Sequence, residues 1–291
     1  MPIVAIILLV VGVAIFRANI DTRSTKITIV GAENMYANIA SQIGGTYVST
    51  TGIITNPNAD PHEYESSAVD ATNIANAHIV IENGAGYDSF IDHLLAASPN
   101  KNRVVINVQQ LLKLPDDTNP HLWYSLAYME TVAKTIETDL AKQDPPHSTY
   151  YEKNYHTFVN SLQSIETVCA TINSTYHGVS VIATERVFDY MLATCGLSII
   201  PNDFQKAVEE GNDPSVASIL FFQNQLQTKQ ARVLLYNTQT ISQITQNMKT
   251  LANQQMIPVV GVSETMPMGG SYQSWMLSET KNLLSALEKN A

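Results

Sequence analysis

The sequence predicts an α/β protein with mainly parallel sheets, laid out as two lobes on either side of one long helix. Three observations predict it. Short β-branched runs alternate with stretches of helical period through the first half of the chain. The same alternation resumes in the second half. Between them, "TYYEKNYHTFVNSLQSIETVCATIN" places Tyr151, Tyr155, Phe158, Leu162, Ile165 and Val168 three and four residues apart. That spacing predicts a single helix of about 25 residues, roughly 37 Å long at about 1.5 Å per residue, which could act as a rigid spine.

In chain order, "KITIVGA" alternates and is β-branched, so it reads as a strand. "ENMYANIASQIGG" has helical spacing and stops at Gly44 and Gly45. "YVSTTGII" is a strand that runs into a polar loop, "NADPHEYES". The helix "SSAVDATNIANA", the strand "HIVIENG", the helix "YDSFIDHLLAAS" and the strand "RVVINV" follow. After "NPHLWYS" comes the helix "LAYMETVAKTIETDLAKQD", which "PPHS" ends. Beyond the spine, "VSVIAT" is a strand, "RVFDYMLATCG" a helix and "LSII" a short strand. "DPSVASILFFQNQLQTKQ" reads as a helix with Asp213 as N-cap and Pro214 at the first helical position. "ARVLLYN", "TISQITQNMKTLANQQ", "IPVVGVS" and "YQSWMLSETKNLLSALEKN" complete the alternation as strand, helix, strand, helix.

A length of 291 residues suggests about two domains, and 45% hydrophobic residues are ample for their cores. The boundaries expected are a first lobe at 26–148, a linking helix at 149–176 and a second lobe at 177–291. The net charge is −10 with no basic cluster. That argues against nucleic acid, which needs a stripe of Lys and Arg. Cys169 and Cys195 make no zinc-type pair. They are expected to pack as small hydrophobes, and their spacing neither requires nor excludes a bridge. Pro2 to Phe16 is an unbroken apolar run, short for a transmembrane helix. It marks residues 1–25 as a signal peptide or membrane anchor and places the mature chain outside the cytoplasm.

Four groups with metal-binding chemistry sit just past predicted strands. His62 lies in "NADPHEYES", His121 in "NPHLW", Glu185 directly after "VSVIAT", and Glu264 directly after "IPVVGVS". Ligands of α/β sheets bind at the carboxyl ends of strands. With two groups from each half, all four can converge if the halves face each other. Two imidazoles and two carboxylates suit a divalent first-row metal, and two bidentate carboxylates would raise the coordination towards the six that manganese favours. Each residue also has a plain alternative: a solvated loop histidine, a cap, an N-cap substitute, a surface acid.

"DPHEYE", "NPHLW", the strand-Glu-"RVFDY" segment and the long middle helix resemble the solute-binding proteins of bacterial zinc and manganese ABC importers, the cluster A-I family. The likeness runs over nearly the whole chain after residue 25. "IENGAGYDSFIDHL" and "DPSVASI" resemble further segments of that family. The resemblance implies two α/β lobes joined by one long helix with the metal between them, and no catalysis. It implies His62, His121, Glu185 and Glu264 as ligands. Glu264 departs by one methylene from the aspartate of manganese-type members. The glutamate at 185 and the lack of a His-rich acidic loop lean towards Mn²⁺, with Zn²⁺ and Fe²⁺ as alternatives. The implied partners are a membrane permease and its cytoplasmic ATPase, with the receptor itself a monomer held at the membrane through its N-terminus. A surface adhesin or scaffold on the same fold is the runner-up. A zinc metallohydrolase is a more distant alternative, since "HExxH" is absent. Glu63, Glu65 and Asp60 are candidates to orient the His62 ring, and Trp123 is expected to pack beside the site.

Overall fold

A computed structural model describes residues 26–58 and 61–289. The apolar run at 2–16, and with it the expected signal peptide or anchor, lies outside the described residues. Among the described residues, no helix is long and apolar enough to cross a membrane.

The first sheet contains β1 (Ile27–Glu33), β2 (Val48–Ile54), β3 (Ile79–Glu82) and β4 (Val104–Asn107) in the order β2-β1-β3-β4, all parallel. The second contains β5 (Ser180–Ala183), β6 (Ser198–Ile199), β7 (Leu234–Asn237) and β8 (Val259–Val262) in the order β6-β5-β7-β8, again all parallel. Counted from its own first strand, each sheet follows the same path. Each path steps one way to its second strand, then returns across the first to its third. This reversal opens a crevice beyond the carboxyl ends of the two central strands.

The longer helices of the first lobe are α1 (Asn34–Gly44), α2 (Ala68–Asn76), α3 (Phe90–Ala97) and α4 (Leu126–Gln143), with one short turn of helix at Val108–Leu111 after β4. The spine is α5, Ser148–Tyr176, 29 residues and about 43 Å long. The second lobe adds α6 (Asp189–Thr194), α7 (Asp203–Glu209), α8 (Val216–Gln227), α9 (Gln243–Gln254) and α10 (Tyr272–Glu288). The spine buries Tyr151, Phe158, Leu162, Ile165, Cys169 and Ile172 against α1, α4 and α10. Tyr155 and Val168, expected in that stripe, lie at its margin and are only partly buried.

Strand alternation divides the apolar residues between layers. Ile29, Ile79 and Ile81 face a core that also takes Val181, Ala183, Leu235 and Val262 from the other lobe, so one core runs through both halves. Val30 and Val80 point the other way, with Ile74 and Ile91, into a small outer cluster. Ile182 and Leu234 do the same with Phe204, Phe222 and Met248. A polar seam reinforces the shared core. Asn34 Nδ2 donates to the Met266 carbonyl (2.7 Å), and its Oδ1 accepts from the Met266 N–H (3.1 Å). Asn38 Oδ1 accepts from the Tyr272 N–H (3.1 Å), and the amides of Gln42 and Gln273 bond reciprocally.

Three local expectations change. The N-cap of α8 is Ser215, whose Oγ accepts from the Ser218 N–H at 3.1 Å, and not Asp213; a short hydroxyl one residue from the helix outcompetes the carboxylate before the proline. Helix α3 begins at Phe90, so Tyr87 and Asp88 belong to a loop. The Asp88 carboxylate creates that loop by accepting from the N–H groups of Asn83 (2.6 Å) and Gly84 (2.9 Å). Cys169 and Cys195 form a disulfide that ties the spine to the end of α6. The two cysteines are 26 residues apart. Closing a loop of that size restricts the unfolded chain by about 3 kcal/mol. Replacing both cysteines by serine is therefore expected to lower unfolding free energy by about that amount in urea titrations, with the slope against denaturant raised by a less compact unfolded state. An unchanged midpoint would show that the bridge contributes nothing.

Candidate metal site

His121 stands in the loop that leads into α4. Its turn is fixed from beneath: Asn83, just past β3, donates to the Pro120 carbonyl (2.8 Å) and accepts from the Tyr36 hydroxyl (2.6 Å). The ring is fixed by Asn119, whose Oδ1 lies 2.7 Å from Nδ1 of His121. The Asn119 Nδ2 donates to the Arg186 carbonyl at 2.8 Å, which leaves Oδ1 as acceptor. His121 therefore carries its proton on Nδ1 and turns the Nε2 lone pair into the cleft. There Glu264 Oε2 stands 3.3 Å away, and both side chains are fully buried. Two electron-rich atoms this close, out of reach of water, repel unless a cation lies between them. A proton or a metal ion would serve.

Glu264 lies two residues beyond β8. Gln239 holds its backbone, with Oε1 accepting from the N–H groups of Glu264 (2.5 Å) and Thr265 (2.9 Å). Its carboxylate accepts from the Tyr87 hydroxyl at Oε2 (2.9 Å) and from Asn237 Nδ2 at Oε1 (2.6 Å). Tyr87 reaches it from the first lobe because Gly84, Ala85 and Gly86 all take positive φ (72°, 55° and 75°), which swings the chain sharply inward. A Cβ on Gly84 would come within 2.7 Å of Asn107 Oδ1. Glu185, two residues beyond β5 and 2% exposed, accepts at Oε2 from the same Asn237 Nδ2 (2.9 Å). Asn237 ends β7, the strand between β5 and β8, so its amide lies between the two glutamates.

The peptide before Glu264 has its own buttress in α10. Glu279 accepts from the Ser263 N–H (3.1 Å) and hydroxyl (3.0 Å), from Trp275 Nε1 (2.8 Å), and contacts the Tyr124 hydroxyl (2.6 Å). Burial pushes its carboxyl up to about 7, with these hydrogen bonds opposing the rise. Burial also pushes Asp88 up to about 7, against the pull of its backbone bonds. Glu33, at the end of β1, rises through burial and the nearby Asp88 charge.

The structure thus sets His121 against Glu264 and places Glu185 one amide away. His62 falls in the 3-10 turn Pro61–Glu63, and its side chain lies outside the described residues, as does Asp60. Among the described residues, no three His, Cys, Asp or Glu side chains are drawn tightly enough together to hold a metal. Glu63 and Glu65 are exposed. Trp123 is buried with its ring 5.4 Å from that of His121. Of the other histidines, His93 and His156 are exposed on helices, His147 bonds Asp144 and His177 bonds Asn173. A cavity of about 610 Å³ opens beside Tyr87 and Pro120, lined by Glu63, Asp116 and Asp117 and by Glu209 and Glu210, which pair with Arg186 at 2.6 Å and Lys206 at 3.6 Å; the remaining excess of carboxylates raises the local concentration of cations.

Sequence reading missed Asn119, Tyr87, Asn237 and Gln239, the neutral groups that aim the charged ones. For Asn119 the signal was present, two residues before a candidate ligand. For Asn237 it was the end of a predicted strand, the same signal that marked Glu185.

A family model described as ZnuA, zinc-uptake complex component A periplasmic, matches residues 29–286. The high-affinity zinc uptake system protein ZnuA of Bacillus subtilis is 22% identical over 178 residues, 55% of each chain. The manganese-binding lipoprotein MntA of the same organism is 22% identical over 148 residues, 48% of each. The iron ABC transporter substrate-binding lipoprotein MtsA of Streptococcus pyogenes serotype M1 is 22% identical over 219 residues, 68% of each. The chain spans about half the length of the first two. Among solved structures, the periplasmic zinc binding protein TroA of Treponema pallidum superposes with a TM-score of 0.75 at 15% identity, over 90% of this chain and 99% of that one. A Mn-bound periplasmic metal binding protein from Candidatus Liberibacter asiaticus gives 0.74 at 17% identity, over 90% of this chain and 100% of that one. At such identities the likeness is one of fold.

Proposed function

The chain belongs to the ZnuA family of periplasmic zinc-uptake components, and on that premise we propose that it captures a divalent transition metal outside the cytoplasm and delivers it to an ABC permease driven by a cytoplasmic ATPase. The observation that carries the reading is the buried pair of His121 Nε2 and Glu264 Oε2, 3.3 Å apart and contributed by opposite lobes. In this reading His62, His121, Glu185 and Glu264 hold the cargo. Their nitrogen and oxygen donors admit Mn²⁺, Fe²⁺ and Zn²⁺, the three metals in the names of its relatives. Manganese is favoured if both glutamates bind through both oxygens. Four protein donors leave little room for an activated water, so in this reading the protein is a receptor and not an enzyme. It works as a monomer, tethered or secreted through its N-terminal segment.

The test is a titration of metal-stripped protein with Zn²⁺, Mn²⁺ and Fe²⁺, followed by melting and by elemental analysis after dialysis. A ligand of the folded state at about 100 times its Kd stabilises by about 2.7 kcal/mol, which for a chain of this size raises Tm by roughly 5–10 °C. A Tm that none of the three metals moves, with no metal retained, would remove the receptor reading.

A further inference from the structure

A cavity of about 730 Å³ lies on the second lobe, between the loop after β6 and the first turns of α7 and α8. Its size is that of a small-ligand pocket. It shares Arg186 and Lys206 with the cavity beside Tyr87 but includes none of the four proposed metal ligands. Ile199, Pro201, Ala217 and Phe221 give it an apolar wall. Two of its polar residues are unsatisfied. Gln205, 3% exposed, accepts at Oε1 from Asn202 Nδ2 (3.3 Å), and its N–H donates to Asn202 Oδ1 (3.2 Å). The second bond fixes which way the Asn202 amide faces, so the glutamine oxygen is the atom turned to Asn202 and Nε2 is the free end. Among the described residues, Gln205 Nε2 has no acceptor and Asp189 Oδ1 has no donor, and both atoms are buried. Burial pushes the Asp189 carboxyl up to about 7; ionised or protonated, it keeps an oxygen that can accept. Unpaired buried polar atoms are costly, and native folds pair nearly all of them. Both residues line the cavity, so a small turn of either side chain brings its unpaired atom to a molecule lodged there.

The charges narrow the choice of molecule. Arg186 is forked onto Glu209 (2.9 and 2.6 Å), and Lys206 Nζ stands 3.6 Å from Glu210. An anion would find both cations already matched by carboxylates. The unmet needs are an uncharged acceptor for Gln205 and a donor for Asp189, beside an apolar wall. A peptide backbone offers C=O and N–H groups in alternation, without net charge and with side chains between them. Apolar surface also continues past the cavity. On α8, Val216 (73% exposed) and Leu220 (59% exposed) stand one turn apart beside Phe221. A compact small molecule would leave that strip uncovered.

We propose that this cavity is a second binding site, for a short apolar peptide segment whose carbonyl accepts from Gln205 Nε2, whose N–H donates to Asp189 and whose side chain packs on Phe221. The probe is N-acetyl-leucyl-phenylalaninamide, titrated into nitrogen-15-labelled protein and followed by NMR at the amides of Gln205, Ala217 and Phe221. Saturable shifts with a Kd below about 1 mM are expected. Gln205→Leu keeps the volume, removes the donor and is expected to raise Kd at least tenfold. Phe221→Ser, at a position 41% exposed, is expected to raise it at least fivefold. The counterpart with esters in place of amides has nothing to donate to Asp189 and should also bind at least tenfold more weakly. The proposal is overturned if the three amides show no saturable shift, or if the ester or Gln205→Leu binds as the amide and the wild type do. Tighter binding of 3-phenylpropanoate than of the peptide overturns it too, because the cavity would then be an anion site. If melting shows that Gln205→Leu fails to fold, Phe221→Ser and the ester decide. Each measurement is made on metal-free protein, so failure of the metal site would leave these outcomes as they stand.

Discussion

Replacing His121 by alanine is expected to lower zinc affinity by more than a hundredfold. Losing an outer partner of a ligand typically costs ten- to a hundredfold, and this substitution removes the donor atom itself. The geometry leaves no substitute. The ring is fully buried, its Nδ1 is committed to Asn119 at 2.7 Å, and its Nε2 faces Glu264 Oε2 at 3.3 Å. A water in its place would sit between Asn119 Oδ1 and Glu264 Oε2, but it is a weaker metal donor than an imidazole whose ring nitrogen is aimed by its partner. The metal-free protein should keep its fold, because the surrounding loop is held by Asn83, Asn119 and Tyr272 through backbone groups. Competition against a chromogenic chelator measures the loss. His93→Ala and His156→Ala, both at exposed helix positions, should stay within twofold of wild type. Equal losses in all three variants, or none at His121, would mean that the site lies elsewhere.

The second large effect is on stability against pH. Glu279 is 7% exposed, and burial raises its carboxyl from an ordinary 4.5 to about 7. A chemical reason accompanies the physical one. The Tyr124 hydroxyl lies 2.5 Å from the Ser263 carbonyl and 2.6 Å from Glu279, yet has one proton to donate. A protonated Glu279 resolves the conflict by donating to the phenol while the phenol donates to the carbonyl. Because the folded pKa is raised, the folded state holds a proton that the unfolded chain has released between about 4.5 and 7. Stability from this group is therefore full below about 4.5, falls as pH rises towards 7, and is level above it. Between pH 5 and pH 8 the loss is roughly 2–3 kcal/mol. Glutamine can keep its oxygen on Ser263 and Trp275 and donate from nitrogen to the phenol, without ever ionising. Glu279→Gln should thus gain roughly 2–3 kcal/mol on wild type in moving from pH 5 to pH 8, read from urea unfolding of metal-free protein at each pH. Parallel pH dependences in the two proteins would show that Glu279 is ionised throughout.

Much of the frame was legible in the residues. Strand and helix periods gave the alternation, and the apolar spacing from Tyr151 to Ile165 gave the spine, because both are local patterns that burial imposes directly. His121, Glu185 and Glu264 could be picked out as candidates because loops after parallel strands gather at one edge. Asn237 could not, because its meaning depends on β7 lying between β5 and β8, and lateral strand order leaves no trace in a strand's own sequence. Tyr87 was assigned to a helix as the first residue of the segment "YDSFIDHLLAAS". The hydrogen bonds from Asn83 and Gly84 to Asp88 compete with helix there and win. The disulfide depended on two helices meeting, which a spacing of 26 residues does not disclose. The core shared by both lobes was equally hidden, since an apolar face in a pattern does not name what it faces.

The amide seam from Asn34, Asn38 and Gln42 to Met266, Tyr272 and Gln273 joins the lobes along the side where the spine also binds them. Such bracing resists a hinge between the lobes, so under the receptor reading proposed above the outline is expected to change little on loading, and a partner would have to read small surfaces near the loop of Gly84–Asp88 and the turn before His121.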